Sequence, residues 1–287
     1  MAWATLRPLS SVVDRSYGPP DLGNLAKVEE IAAAYRALPT VPAGTPSPVP
    51  RHIWMLWQQG WDKAPEIVLR CRQSWEDKRG MWDIVFLDEE TLPRYCAGYE
   101  ERVPSHLTRQ HRADIARIML LAQHGGVWAD ATTFCVRPLD EWLPYAAQSG
   151  FFMFDRPRPY RIVENWFIAA TKDNPVITGM LDLFFQYVRL FPKPHHYFWM
   201  VYLIEHLFRI DPVSREIWQR TPRLSALGPS LLDHHGFDQN PPRIILDIID
   251  EAAVPLFKLK HRWDAGDLAG TPLEHLTGLH TIRGSGL

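Results

Sequence analysis

Several features that would define a protein class are scarce or missing in this chain. Its 287 residues include three cysteines, Cys71, Cys96 and Cys135, which are too few and too scattered for a disulfide framework or a zinc ribbon. No apolar run approaches the roughly 18 residues that span a bilayer. The first residues lack the basic start and apolar stretch of a secretory signal. We therefore expect a soluble, cytoplasmic protein.

An excess of charge of one sign is also absent. The chain has 31 Lys and Arg against 33 Asp and Glu, a formal net charge of −2, so it lacks the basic surplus that attracts nucleic acid. It contains no internal repeat, no Gly-x-Gly-x-x-Gly loop and no Walker loop, which argues against a dinucleotide oxidoreductase and a P-loop NTPase. The apolar fraction of 46% is that of an ordinary globular protein with a sizeable core. No nucleic-acid partner is expected.

The first 50 residues differ from the rest of the chain. Residues 1–21 show no periodicity and are expected to form a loose arm, whereas residues 22–38 have apolar side chains at helical spacing. Residues 39–50 contain five prolines, which is typical of a linker. The main domain is therefore predicted to span residues 51–287.

Short apolar runs alternate with helical patterns in that domain. Strands are predicted at 52–57, 82–87, 127–134, 151–154, 166–170 and 253–258, and helices at 65–77, 109–123, 175–190 and 197–209. The alternation indicates an α/β fold with a mostly parallel, Rossmann-like sheet flanked by helices. In such a sheet, ligands lie beyond the carboxyl ends of the strands.

The predicted helix at 109–123 carries a pair of opposite charges. Asp114 and Arg117 are three residues apart and share one face of this helix. A simple ion pair on the surface would explain them. Their context favours a functional interpretation, because the helix leads directly into a Gly-Gly turn and another predicted strand.

The strand that follows the Gly-Gly turn contains a lone carboxylate. Asp130 lies in an otherwise apolar sequence, and Thr132 lies two residues later on the same face of the predicted strand. Such a carboxylate is unfavourable unless it is paired or bound to a cation. A divalent ion that itself holds phosphate oxygens would meet this requirement.

In this order, the segments resemble the donor-binding core of GT-A glycosyltransferases, in particular the capsular polysaccharide synthesis proteins and their glycosyltransferase family 32-like relatives. In that group an Asp-x-x-Arg helix leads to Gly-Gly, an aromatic residue and a metal-binding Asp-x-Asp (DXD) motif. Residues 53–60, 164–170 and 257–261 resemble, respectively, the opening strand, the segment beside the transferred sugar and the closing Lys-Leu motif.

The resemblance implies a GT-A nucleotide-diphospho-sugar transferase fold and a metal-assisted, retaining transfer of a sugar. The donor would be a nucleotide-sugar, expected to be a UDP-sugar, and the acceptor a glycan or lipid-linked glycan in capsular or cell-surface polysaccharide synthesis. A lipid-linked acceptor would place the enzyme peripherally at the inner face of the membrane. Two alternatives stay open: a catalytically silent protein that binds nucleotide or sugar, and a toxin-like glycosyltransferase that modifies a protein.

Donor-binding roles follow from the resemblance for four residues. Trp54 would stack on the base, although a buried core tryptophan is the alternative. Asp114 would bind ribose or sugar hydroxyls, Arg117 would contact the sugar or phosphate, and Lys260 would pair with the pyrophosphate.

The resemblance also implies a metal site and two positioning residues. Asp130, Thr132 and His261 would hold Mn²⁺ or Mg²⁺, although His261 also suits a solvated basic loop. Thr132 replaces the usual second carboxylate of Asp-x-Asp, so metal affinity without donor is expected to be low. Glu164 and Asn165 would position the sugar and the acceptor; an asparagine that bonds backbone at a strand end is the alternative.

Overall fold

The structure is a computed structural model that describes residues 22–158, 161–192, 197–261 and 266–282. The predicted arm at 1–21 lies outside these ranges. The strands are β1 His52–Leu56, β2 Asp83–Leu87, β3 Gly126–Ala129, β4 Thr133–Cys135, β5 Phe151–Arg158, β6 Arg161–Ala170, β7 Leu256–Lys258, β8 Gly266–Asp267 and β9 Thr281–Ile282. The helices are α1 Leu25–Arg36, α2 Glu66–Lys78, α3 Leu92–Tyr95, α4 Tyr99–Arg102, α5 Arg109–His124, α6 Leu143–Ala146, α7 Pro175–Leu190, α8 Trp199–Ile210, α9 Pro212–Arg220, α10 Leu231–His235, α11 Arg243–Asp250 and α12 Pro272–Thr277.

A five-stranded sheet in the order β2-β1-β3-β6-β5 forms the centre of the fold. β1 is parallel to both β2 and β3, while β6 is antiparallel to β3 and β5. Four strands therefore run in one direction and β6 runs in the other, so the predicted α/β architecture with a mostly parallel sheet is confirmed. Two small sheets, β4-β7 and β8-β9, lie outside the central sheet.

The two faces of the sheet bury separate apolar clusters. Alternation along β1 and β3 directs Ile53 and Val127 to one face, and Trp54 and Trp128 to the other. Helices α5, α7 and α8 cover the second face, and α1, α2 and α11 cover the first. Within the part of the chain that is described, no helix combines the length and apolar character needed to cross a membrane.

Helix α1 packs on the main body of the protein. Asn24 caps its start by accepting a hydrogen bond from the backbone N–H of Ala26 at 3.0 Å. Tyr35, near its end, is buried and donates its hydroxyl to the carbonyl of Ser225. The predicted helix is thus confirmed, and its apolar face belongs to the core of the domain that follows.

The predicted strand at 127–134 is wrong, because the chain turns in its middle. β3 ends at Ala129, and the N–H of Thr133 donates to the carbonyl of Asp130 at 2.9 Å to close a tight turn. After this turn β4 leaves the central sheet and pairs with β7. Asp130 is therefore at the carboxyl end of β3, where the ligands of α/β sheets bind.

Strand β3 begins at a point of close backbone approach. Gly126 has φ of +98°, and a Cβ atom added there would lie 2.6 Å from the carbonyl oxygen of His52 at the start of β1. Only glycine combines this backbone conformation with so short an approach. The Gly-Gly turn therefore sets how closely β3 lies beside β1.

We expect Gly126→Ala to lower the free energy of unfolding by about 2 kcal/mol or more, because it adds a backbone clash to an unfavourable φ. Urea unfolding measures this change. Gly44→Ala is the matched control: Gly44 also has positive φ, +81°, but an added Cβ meets no atom within 4 Å. Equal losses in the two variants would contradict the assigned close approach.

Candidate active site

Polar residues from two neighbouring strands, β3 and β6, meet at the carboxyl edge of the central sheet. Asp130 follows β3, and its backbone N–H donates to the carbonyl of Trp166 in β6 at 2.8 Å. Because β6 is antiparallel to β3, its early residues Glu164 and Asn165 lie at this same edge. The sheet thus brings together the predicted catalytic residues from two distant segments.

Asp130 is bonded on one oxygen and faces an ammonium group with the other. Its Oδ1 accepts a hydrogen bond from the indole N–H of Trp128 at 2.9 Å and lies 3.3 Å from Nη2 of Arg117. Its Oδ2 lies 3.8 Å from Nζ of Lys258. The side chain retains 28% exposure, so this carboxylate is held in place while still open to a ligand.

The buried guanidinium of Arg117 contacts several residues of the site. Its Nη2 lies 3.2 Å from Oδ1 of Asp114, its Nη1 donates to the backbone carbonyl of Asn165, and its guanidinium lies over the ring of Trp128. The side chains of Arg117 and Asp114 are only 6% and 2% exposed. The alternative of a solvated surface pair is therefore wrong, because both charges are buried.

Asp114 is fixed by three neighbours. The indole N–H of Trp199 donates to its Oδ2 at 2.8 Å, the amide of Asn165 donates to its Oδ1 at 3.4 Å, and Arg117 completes the set. Burial raises the pKa of Asp114 from 3.8 to about 6, although Arg117 and the Trp199 hydrogen bond oppose the rise. The Asp114 carboxylate is therefore almost fully buried, and it contacts the two site residues Arg117 and Asn165.

A cavity of about 490 Å³ lies beside this cluster. Its lining mixes cations, carboxylates and aromatic rings, and includes Arg161, Glu164, Trp166, Asp233, Lys258 and Lys260. Glu164 is paired with Nη2 of Arg161 at 2.9 Å, and Lys260 lies 3.3 Å from Asp233. Glu164 and Lys260 therefore face the cavity, as a site for an anionic, hydroxyl-rich ligand requires.

The expectation that Trp54 stacks on a base is corrected by its burial. Trp54 is 3% exposed, donates its indole N–H to the carbonyl of Gly125 at 2.9 Å and packs on the ring of His124. The core alternative holds. Trp57 is the tryptophan at the carboxyl end of β1, and its indole nitrogen is buried without a hydrogen-bond partner among the described residues. In the sequence, Trp57 is the last residue of the predicted strand, and this position could have indicated that Trp57, rather than Trp54, lies at the carboxyl edge of the sheet.

The predicted metal ligands lie beside a lysine that the sequence analysis missed. Nζ of Lys258 donates to Oγ1 of Thr132 and lies close to Asp130, while His261 packs edge-on against Trp57 at 5.6 Å between ring centroids. Among the residues described, no group of three or more His, Cys, Asp and Glu side chains is arranged to hold a metal ion. Asp130 and Thr132 offer one carboxylate and one hydroxyl, and the Lys258 ammonium, which contacts both, opposes a second cation at these two side chains.

The fold is α/β, and cationic, carboxylate and aromatic side chains line a cavity beside the carboxyl edge of its central sheet. The family model described as capsular polysaccharide synthesis protein matches residues 27–274. The chain belongs to this family, as the sequence resemblance indicated.

Curated relatives are similar over shorter stretches. The O-glycosyltransferase braB of Annulohypoxylon truncatum is 27% identical over 156 residues, which are 47% of this chain and 37% of that protein. Inositol phosphoceramide mannosyltransferase 1 of Schizosaccharomyces pombe is 29% identical over 136 residues, 45% of this chain and 40% of that protein. The initiation-specific alpha-1,6-mannosyltransferase of Candida albicans is 28% identical over 106 residues, 33% of this chain and 27% of that protein. The chain thus spans 27–40% of the length of these relatives.

Similarity to solved structures is at low sequence identity. The PaToxG glycosyltransferase is 16% identical, with a TM-score of 0.45, and the match covers 69% of this chain and 83% of that chain.

The buried Asp114 predicts a specific pH dependence of stability. Its pKa in the folded protein, about 6, exceeds the ordinary 3.8, so between these values the folded state binds the proton more tightly than the unfolded state. The contribution of Asp114 to the free energy of unfolding should therefore fall as pH rises from about 4 to about 6, by on the order of 2 kcal/mol.

Urea unfolding of wild type and Asp114→Asn across this pH range isolates that contribution. The difference in stability between the two proteins should change with pH in the stated direction. Asp83→Asn, which alters an 81% exposed carboxylate, should keep the wild-type slope. A wild-type slope in Asp114→Asn as well would contradict the assignment.

Proposed function

We propose that this protein is a glycosyltransferase that moves a sugar from a nucleotide-sugar donor, a UDP-sugar, to a glycan acceptor. The observation that carries the proposal is Asp130, held between Arg117 and Lys258 at the carboxyl edge of the sheet and beside a cavity. Membership of the capsular polysaccharide synthesis family and similarity to curated glycosyltransferases support the same activity. An acceptor in capsular or cell-surface polysaccharide synthesis agrees with the family description.

The lining of the cavity suits both ends of such a donor. Guanidinium and ammonium groups from Arg161, Lys258 and Lys260 would bind phosphate oxygens. Carboxylates such as Glu164 and Asp233 accept hydrogen bonds from sugar hydroxyls. A volume of about 490 Å³ lies within the usual range of small-molecule sites.

In the proposed reaction, the bond from the sugar's anomeric carbon to the diphosphate oxygen breaks, and a bond from that carbon to an acceptor oxygen forms. The electron pair of the broken bond leaves with the diphosphate, and the proton of the acceptor hydroxyl passes to an oxygen of that leaving group. Fixed positive groups stabilise the charge that develops on the leaving group. Asp130 and Asn165 would orient the sugar, and Glu164 the acceptor.

Asp130→Asn tests the proposal. We expect transfer and donor hydrolysis to fall by about 100-fold or more, because the amide removes the charge that organises Arg117 and Lys258 at the site. Radiolabelled UDP- and GDP-sugars with glycan acceptors provide the assay.

Asp83→Asn is the matched control for this experiment. Asp83 is an exposed carboxylate at the start of β2, on the opposite edge of the sheet, and its substitution should leave transfer unchanged. Full turnover by Asp130→Asn would contradict the assigned site. Transfer to protein acceptors alone would favour the toxin-like alternative, and nucleotide binding without turnover of any donor would favour the silent binder.

From the family resemblance, we also propose that the transfer retains the anomeric configuration of the sugar. The first-formed product should therefore have the anomeric configuration of the donor sugar, as determined by NMR. An inverted product would contradict this part of the proposal, and the transferase activity would stand.

A further inference from the structure

Lys258 occupies the space between the two residues that resemble a metal-binding Asp-x-Asp motif. Its backbone is fixed at the end of β7, where it pairs with Thr133 of β4 and donates its N–H to the carbonyl of Pro229 at 2.8 Å. From there Nζ donates to Oγ1 of Thr132 and lies 3.8 Å from Oδ2 of Asp130. The pairing of β4 with β7 therefore places a positive charge on the motif itself.

We propose that, among the cations of the cavity, the Lys258 ammonium takes the place of a metal ion at the donor's diphosphate, and that sugar transfer by this protein requires no divalent metal ion. This inference rests on the proposed function and adds to it the chemistry of donor binding. The inference depends on the position of the Lys258 ammonium, which contacts both Asp130 and Thr132.

The threonine in the motif is explained by the lysine. An aspartate at position 132 would form a close ion pair with Lys258 and neutralise it. The hydroxyl of Thr132 instead accepts one hydrogen bond and fixes the direction of Nζ without removing its charge. Thr132 and Lys258 therefore act together as an oriented ammonium group.

The local charge balance also disfavours a divalent ion. Asp114 and Asp130 are the carboxylates in the ion-pair network of Arg117 and Lys258. A divalent ion on Asp130 would have to approach these two cations, and Oδ1 of Asp130 is already bonded by the indole of Trp128. A diphosphate, in contrast, is attracted to these cations, because it is negatively charged.

Lys258 is better disposed toward a diphosphate than the other cations of the cavity. Arg161 lies 2.9 Å from Glu164, and Lys260 lies 3.3 Å from Asp233, whereas the contact of Lys258 with Asp130 is longer, at 3.8 Å. An ammonium group has three donors, of which one goes to Thr132 and a second to the carbonyl of Leu259 at 3.3 Å. The third is available to a phosphate oxygen in the cavity that Lys258 lines.

The chemical role follows from this placement. When the bond from the anomeric carbon to the diphosphate breaks, its electron pair remains on a diphosphate oxygen. The ammonium stabilises that charge by a charge-assisted hydrogen bond. The proton of the acceptor hydroxyl ends on the diphosphate, so Lys258 stays protonated throughout.

Calorimetric titration of the full chain with UDP and GDP, in excess EDTA and then in Mn²⁺, tests the inference. Wild type should bind one of them in EDTA, with an affinity within about threefold of that in Mn²⁺, and should transfer sugar in EDTA. Lys258→Met should weaken this binding by about tenfold or more, because it removes the charge. Lys258→Arg, which keeps the charge, should recover most of the affinity.

Lys172→Met is the matched control, because Lys172 is exposed and follows β6 at the opposite edge of the sheet. It should bind as wild type does, and thermal melting checks that every variant is folded. Binding and transfer that require Mn²⁺ in wild type would overturn the inference and leave the proposed function standing. Metal-free binding that Lys258→Met leaves unchanged would also overturn it. If no nucleotide binds and no sugar is transferred under either condition, the proposed function fails as well.

Discussion

The architecture of the site depends on one buried guanidinium. Arg117 contacts Asp114 on its own helix, Asp130 at the end of β3 and the backbone carbonyl of Asn165 in β6. Breaking a buried ion pair by removing one member typically costs about 3–5 kcal/mol, because it leaves the other charge uncompensated. The packing of α5 against the sheet and the position of the candidate catalytic carboxylate are thus set by the same side chain. Trp199 extends the network to α8 by its bond to Asp114.

The sequence predicts most of the elements because their periodicity reflects local backbone geometry. Helix α5 and strands β1 and β2 lie where the apolar patterns place them, and the sheet is mostly parallel as expected. The failure at 127–134 has a physical cause: β-compatible residues continue past Ala129, but the chain is turned by bonds to distant partners. Asp130 bonds to Trp166, and the following residues pair with β7. A local pattern contains no information about such partners.

The same limit explains which site residues could be predicted. Asp130 and Arg117 stand out because charged groups in apolar segments require partners, whereas Asn165 was indicated by the family resemblance, and the three do lie together. Trp54 and Trp57 belong to one apolar run, so residue type alone does not separate them. Trp54 lies within β1 and is buried, whereas Trp57 follows the strand and is partly buried. Of the two nearby lysines, Lys258 reaches Asp130 and Lys260 pairs with Asp233. That choice depends on the register of β7 against β4, which is long-range information.

Thr132 shows how a departure from a motif acquires meaning from its surroundings. Considered alone, replacing a carboxylate by a hydroxyl suggests a weakened metal site. Beside Lys258, the hydroxyl fixes an ammonium that an aspartate would neutralise. The pairing of Thr133 with Lys258 across β4 and β7 keeps the two side chains together, so the geometry of a small two-stranded sheet sets the charge offered to the ligand. The proposed binding of a diphosphate is thus compatible with a motif that has one carboxylate, because Lys258 supplies positive charge beside it.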